Sequence, residues 1–416
     1  MSIKFRLTLI SFMQFFVWGA WLITIGNYWF ATKNWSPVQF GAVFSTLAIS
    51  SIFMPPVIGI IADRWVNAER LYGLLHICYG LSLLFLPQAM DPAAFYTIML
   101  VAMLFYMPTI SMSNAISYTI LKSQSFDVVK VFPPIRVWGT VGFIVAMWIT
   151  NLSGNKATAG QFYIASAGAI LLGLYSFTLP ACPPQNKIAK NASLSEQLGL
   201  NAFQLFANYK MALFFIFSLF LGAALQLTNM YGDVFLDGFR TQPEYAHSLV
   251  VRYSTLIMSI SQISETVFIV TIPYFLKKFG IKKVMLFAML AWVLRFGLFA
   301  YGDPGPNLWM IILSCIVYGM AFDFFNISGS LFIETSTDAN IRSSAQGLFM
   351  MMSNGIGAFL GSIFSGWLIS NYFMVDGVKD WHHIWLTFAA YALVIALAFL
   401  ILFKHKHIPE QINFEH

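Results

Sequence analysis

The sequence predicts an all-α membrane protein with twelve transmembrane helices in two six-helix bundles, and three observations predict it. The chain is 58% hydrophobic and only 10% charged, against roughly 25% charged in ordinary soluble domains. Its apolar residues gather into about twelve stretches, each near the roughly 20 residues that cross a bilayer. The basic residues lie between those stretches rather than in one patch, so the net charge of +6 points to membrane topology and not to nucleic acid. A chain of 416 residues with so little polar surface cannot close a single packed core in water, and lipid must be its main solvent.

The first span covers about 5–30. Lys4 and Arg6 before an apolar run imitate a secretory signal. The run is too long for one, however, and no small-residue cleavage site precedes the aromatic cluster around Trp18 and Trp21, so the segment is expected to be retained. Spans two to six follow at about 38–62, 70–88, 93–121, 128–152 and 160–179. The most polar long gap comes next. Pro180, Pro183 and Pro184 end the sixth span, and Ser193-Leu-Ser-Glu196 has the capping-box form that starts a short amphipathic helix. The expected organisation is therefore a bundle over 1–180, a cytoplasmic linker with one interfacial helix over 181–208, and a second bundle over 209–416. Spans seven to twelve are read at about 210–237, 247–275, 283–301, 308–333, 344–371 and 383–403.

Twelve spans put both termini on one side. Placing the termini and the even-numbered loops in the cytoplasm leaves seventeen Lys and Arg at or near that side. Only five, Lys33, Lys156, Arg240, Arg252 and Lys379, fall opposite, with Arg295 inside a span. The positive-inside rule selects this orientation. Cys78, Cys182 and Cys315 form no paired framework, and His405-Lys-His407 reads as a solvated basic tail, so neither disulfide nor metal is expected. No phosphate loop, dinucleotide fingerprint or zinc-protease pattern occurs, which leaves an enzyme without a chemical site and the chain without a cofactor.

Polar residues inside the spans are the candidates for function. Asp323 sits in Tyr318-Gly-Met-Ala-Phe-Asp-Phe-Phe-Asn-Ile-Ser-Gly-Ser330 at mid-span, where an ionisable group costs roughly 2.5–3.5 kcal/mol on insertion scales. Its neighbours Phe322, Phe324 and Phe325 disfavour its charged form. Glu265 raises the same question in span eight, where Ser259, Gln262 and Glu265 recur every three residues on one face. Gln226, Asn229 and Asp233 share a face of span seven, and Tyr318, Phe322 and Asn326 form a stripe on span ten. In the first half, Arg136, Thr140 and Phe143 share a face just after Pro133-Pro134. Arg295 has no comparable polar face, which predicts an outer-interface or structural ion-pair role.

Amides that donate and accept, carboxylates, and flat apolar rings at one depth suit a neutral, hydroxyl-bearing solute. A nucleoside and a sugar both fit. A membrane receptor and an efflux pump are the readings from other classes. A receptor would append a soluble signalling region, and an efflux pump would drive net export.

The two halves echo each other. Gly59-Ile-Ile-Ala-Asp-Arg-Trp65, followed by Arg70, lies between spans two and three; Lys277, Lys278, Gly280, Lys282 and Lys283 lie between spans eight and nine, about 213 residues later. Repeats of this kind rock about a site at their interface. The first motif resembles the G-x-x-x-D-[RK] loop signature of the major facilitator superfamily, with Val66, Asn67 and Ala68 where its Gly and basic pair usually follow. Longer segments are similar to those of the bacterial nucleoside:proton symporter family. They are Phe132-Pro-Pro-Ile-Arg-Val-Trp-Gly-Thr-Val-Gly-Phe143, Leu225-Gln-Leu-Thr-Asn-Met-Tyr-Gly232, Ser259-Ile-Ser-Gln-Ile-Ser-Glu265, Tyr318-Gly-Met-Ala-Phe-Asp-Phe-Phe-Asn326 and Ser344-Ala-Gln-Gly347.

The resemblance implies the major facilitator fold and a proton-coupled nucleoside importer of the bacterial inner membrane, working as a monomer on nucleosides and protons. It further implies a central cavity with Arg136, Thr140 and Phe143 on one side and Gln226, Asn229, Gln262, Glu265, Tyr318 and Phe322 on the other. Asp323 is then the expected coupling carboxylate, with Glu265 its rival. Asp63, Arg64 and Arg70 are expected to make gating contacts between helices.

Overall fold

Lipid offers backbone N–H and C=O groups no partner, so each apolar stretch closes into a helix that satisfies itself. In the computed structural model, residues 2–184 and 200–405 are described, apart from the side chains at 129, 200, 201, 339, 340 and 343. The chain divides into two compact units, Met1–Leu198 and Gly199–His416.

The first unit contains α1 (Ile3–Gly19), a short α2 (Ile25–Asn27) continuing into a π-helical turn at Tyr28–Thr32, α3 (Pro37–Arg64), α4 (Ala68–Phe85), α5 (Pro92–Ser123), α6 (Val128–Leu152) and α7 (Gly160–Ser176). Caps set the starts locally. Asp91 accepts from the backbone N–H groups of Ala93 and Ala94, both at 2.9 Å, ahead of Pro92 in the first turn of α5. The second unit contains α8 (Tyr209–Gly238), a short α9 (Leu249–Arg252), α10 (Ser254–Tyr301), α11 (Leu308–Ser336), and α12 (Ala339–Met350), which runs through a π-helical turn at Met351–Gly357 into α13 (Ala358–Tyr372). A small hairpin of β1 (Met374–Val375) and β2 (Val378–Lys379) leads to α14 (Trp381–Leu402).

Nine segments among the described residues are each long and apolar enough to cross a membrane. The remaining spans of the predicted twelve have simple origins. Helix α10 holds two, separated at Gly280, whose φ of 77° is open to glycine and strained for other residues. Helices α1 and α7 have 17 residues each and cross with the help of flanking turns.

The packing order repeats. Within the first unit α1 packs on α6, α3 on α5, and α4 on α7. Within the second, α8 packs on the Met351–Gly357 turn and α13, the first half of α10 on α11, and the second half of α10 on α14. These are equivalent pairs of two six-span repeats. Apolar side chains such as Phe53, Leu171, Val270, Val394 and Ile401 stay exposed along the helices, as lipid-facing positions must.

Three expectations need adjustment. The first span is broken after Gly19, where backbone bonds at Ala20–Thr24 switch to turns; Thr150 Oγ1 donates to the Ala20 carbonyl and satisfies a freed group, while Thr24 Oγ1 donates to Gln161 and ties the break to α7. The eighth span starts at Ser254 and not at 247, because Ser248 caps the separate turn Leu249–Arg252 and Tyr253 leaves helical geometry with ψ 33°. The helix expected at Ser193–Glu196 and the residues Lys406 and His407 lie outside the described residues.

Candidate functional site

In the second unit, α8, α10 and α11 bring polar residues together. Gln226 is buried on α8, with Asn229 half-buried three residues on. Gln262 and Glu265 are half-buried on α10. On α11, Tyr318 and Asp323 are buried and Phe322 is half-buried. The rings of Tyr318 and Phe322 stack with centroids 5.9 Å apart and planes 6° from parallel, as their four-residue spacing allows. Trp292 meets Tyr318 edge-on at 5.9 Å. Glu265 lies within electrostatic reach of Asp323 and Tyr318.

That closeness has a backbone cause. A Cβ on Gly319 would lie 2.6 Å from the Ser264 carbonyl carbon and 2.7 Å from the Glu265 nitrogen, so α10 and α11 touch backbone to backbone there. Ser264 Oγ donates to the Ile316 carbonyl across the same contact.

Three buried acceptors on these helices lack donors. Gln226 Oε1, Gln262 Oε1 and Asp323 Oδ2, one from each helix, accept no hydrogen bond among the described residues. Buried polar atoms nearly always have partners, so each of these orphans is a candidate to meet a donor that comes and goes. Phe322 also lines a small open cavity of about 20 Å³, together with Trp292, Phe325, Asn326, Ser353 and Asn354.

In the first unit, the predicted residues of α6 pack on α1. The Arg136 guanidinium lies over the Phe15 ring at 4.2 Å, a cation–π contact, and Phe143 meets Trp18 edge-on at 6.3 Å. Thr140 is half-buried between them on the chain. The Trp18 indole N–H is buried and donates to nothing among the described residues. Phe15 and Trp18 were missed by sequence reasoning, although both sit on an apolar helix three residues apart. The buried Gln14 was missed too. It donates to Thr109 at 2.9 Å and accepts from the Tyr72 hydroxyl at 2.6 Å, tying α1 to α4 and α5.

The expectation for Arg295 is overturned. It is fully buried rather than at an outer interface, and among the described residues it makes no ion pair. Its Nε donates to Thr228 at 3.2 Å and its guanidinium donates to the Ser314 carbonyl at 2.7 Å, while Cζ lies 4.7 Å from the Tyr318 ring centre. A single cation thus fastens α8, α10 and α11 and holds Tyr318. Helical periodicity could not reveal it, because its partners come from other helices.

Of the residues expected to gate, Asp63 is half-buried and Arg64 exposed at the end of α3, while Arg70 is mostly exposed with Nε 3.8 Å from Glu69. Glu69 is the buried member of this group. It accepts from the Cys182 backbone N–H at 2.7 Å and fastens α4 to the segment after α7. Burial, followed by the Glu69 charge, pushes the Cys182 thiol up to about 12, which keeps it an inert thiol.

Comparison with known proteins agrees with this arrangement. A profile of the nucleoside H+ symporter family matches residues 1–408. The chain is 52% identical to the xanthosine permease of Escherichia coli (strain K12), over 99% of this chain and 99% of that permease. It is 48% identical to the nucleoside permease NupG of the same strain, over 98% of this chain and 97% of that one. The crystal structure of the nucleoside transporter NupG (D323A mutant) matches with a TM-score of 0.94 at 48% identity, covering 97% of this chain and 100% of that one. A bacterial homolog of the lysosomal transporter Spinster matches at a TM-score of 0.67 and 15% identity, over 96% of this chain and 94% of that one, and so shares the fold alone. The chain therefore belongs to the nucleoside H+ symporter family, multi-pass membrane transporters with the major facilitator fold.

Proposed function

We propose that the chain imports nucleosides together with protons across the bacterial inner membrane by alternating access, with both termini cytoplasmic and a monomer as the working unit. The observation that carries this reading is the set of three orphaned buried acceptors on α8, α10 and α11, Gln226 Oε1, Gln262 Oε1 and Asp323 Oδ2, together with the stacked Tyr318 and Phe322 rings of α11. A nucleoside supplies ribose hydroxyl and base N–H donors for the amides and a flat base for the rings. A proton neutralises the Asp323 carboxylate. The nucleoside H+ symporter family agrees with both substrates, and the xanthosine and nucleoside permeases agree with the first.

In this reading Arg136, Thr140 and Phe143 in one unit, and Gln226, Asn229, Gln262, Glu265, Tyr318 and Phe322 in the other, bind the nucleoside. Asp323 takes the coupled proton from outside. Neutralised, it no longer opposes closure of an apolar site, the loaded protein turns inward, and the proton leaves to the cytoplasm with the substrate. Asp63, Arg64 and Arg70 serve the contacts that open and close between helices. One proton suffices energetically. A charge crossing about 100 mV contributes roughly 2.3 kcal/mol, which at about 1.4 kcal/mol per decade supports roughly 40- to 50-fold accumulation.

Amide variants in proteoliposomes with an imposed pH gradient test the reading. Asp323→Asn is expected to lose accumulation of labelled uridine and adenosine while retaining exchange, and Glu265→Gln to lose binding. Xanthosine, sugars and cationic dyes as competitors identify the substrate class. Normal accumulation by both variants would sink the mechanism, and competition by sugars or dyes alone would sink the substrate.

A further inference from the structure

The cavity beside Phe322 has a second polar wall that the proposed set of binding residues does not use. It is built by the π-helical turn Met351–Gly357. Such turns insert an extra residue into a helix and recur at functional sites. Here the turn presses on α8, where a Cβ on Gly222 would lie 1.9 Å from the Ser353 carbonyl oxygen. The next residue, Asn354, lines the cavity with Asn326, Trp292, Phe322 and Phe325.

The two amides are poised differently. Asn326 Nδ2 donates to the Phe322 carbonyl at 3.0 Å, which leaves Oδ1 as its acceptor. Asn354 Nδ2 has only the Met350 sulfur, 4.0 Å away and a weak acceptor, so both its amide functions remain available to a ligand. The cavity is small, about 20 Å³ against the roughly 300–1,000 Å³ of a full ligand pocket, so it meets one edge of a nucleoside and does not enclose it.

We propose that the π-helical turn presents Asn354, with Asn326 as its partner, to the edge of the nucleobase, and that this pair sets the preference among bases. Alternating donors and acceptors on a flat edge are what two amides between aromatic walls recognise. The inference rests on the nucleoside reading and assigns the base to this cavity.

The test compares uptake of uridine, cytidine and adenosine into proteoliposomes by the wild-type chain, Asn354→Ala and Asn354→Asp. The alanine variant is expected to raise KM about tenfold or more, the size of one lost hydrogen bond to a buried partner, with kcat little changed. The aspartate variant keeps an acceptor and loses the donor. It should shift kcat/KM toward cytidine and adenosine, whose bases present an amino group, and away from uridine. If the alanine variant elutes as aggregate, the aspartate variant decides. Equal ratios among the three nucleosides in wild type and variants, including a uniform loss, overturn the inference while leaving the nucleoside reading standing. A wild-type chain that accumulates none of the three overturns both.

Discussion

The contact at Gly319 is the most exacting test of the site, because a single methyl group there acts on both carboxylates. In Gly319→Ala the new Cβ would sit 2.6 Å from the carbonyl carbon and oxygen of Ser264 and 2.7 Å from the Glu265 nitrogen. Comfortable carbon contacts are about 3.5–4.0 Å, so α10 and α11 must separate locally by about 1 Å. The obstructing atoms are all backbone, and no side chain can swing aside. Overpacking of this kind costs about 1–3 kcal/mol. The larger effect should be functional. The shift moves Glu265 away from Asp323 and Tyr318 and breaks the Ser264 bond to the Ile316 carbonyl, and a misplacement of about 1 Å in a preorganised site costs roughly a hundredfold. Proton-driven nucleoside uptake in proteoliposomes, read beside the thermal midpoint in detergent, measures both. Gly297→Ala is the control, since nothing lies within 4 Å of its Cβ position. If Gly319→Ala matches Gly297→Ala in uptake and stability, the helices do not need this approach and the coupling argument fails.

Two further outcomes are expected. Arg295→Met removes the bonds to Thr228 and the Ser314 carbonyl and the contact with Tyr318, which should lower stability by about 3 kcal/mol and raise the nucleoside KM, with Arg295→Lys intermediate; a methionine variant as stable as wild type would show that the buried cation fastens nothing. At the start of α14, partial burial works against the Asp380 charge. The His383 imidazole at 2.7 Å and its backbone N–H at 3.3 Å outweigh this and hold the carboxyl below its ordinary 3.8. A depressed folded-state value means stability that is complete above about pH 4 and lost as pH falls through that lower value. The thermal midpoints of wild type and Asp380→Asn should therefore differ most above about pH 4 and converge as pH falls through the depressed value, and a constant gap would refute the assignment.

Much of the site was legible because helical spacing is a local property. Gln226 and Asn229, Gln262 and Glu265, and Tyr318, Phe322 and Asp323 each lie on one helix, so counting by three and four was enough to group them. Arg295 escaped for the opposite reason. Its partners Thr228 and Ser314 are 67 and 19 residues away in the chain, and no periodicity relates them. Trp18 and Phe15 escaped because an aromatic on an apolar helix carries no sign of whether it meets lipid or Arg136. The π-helical turn around Asn354 follows from backbone pressing on Gly222, which is a relation between helices.

The sequence by itself therefore determined the solvent, the number of spans and the helical faces on which the carboxylates and amides stand. Apolar length against bilayer thickness and the helical repeat act within one segment. Tertiary structure alone decided that Glu265 comes within electrostatic reach of Asp323, that Arg295 is buried against Tyr318, and that Asn354 shares a cavity with Phe322. Each of these depends on how closely two backbones can approach, and that distance is set by side chains on different helices.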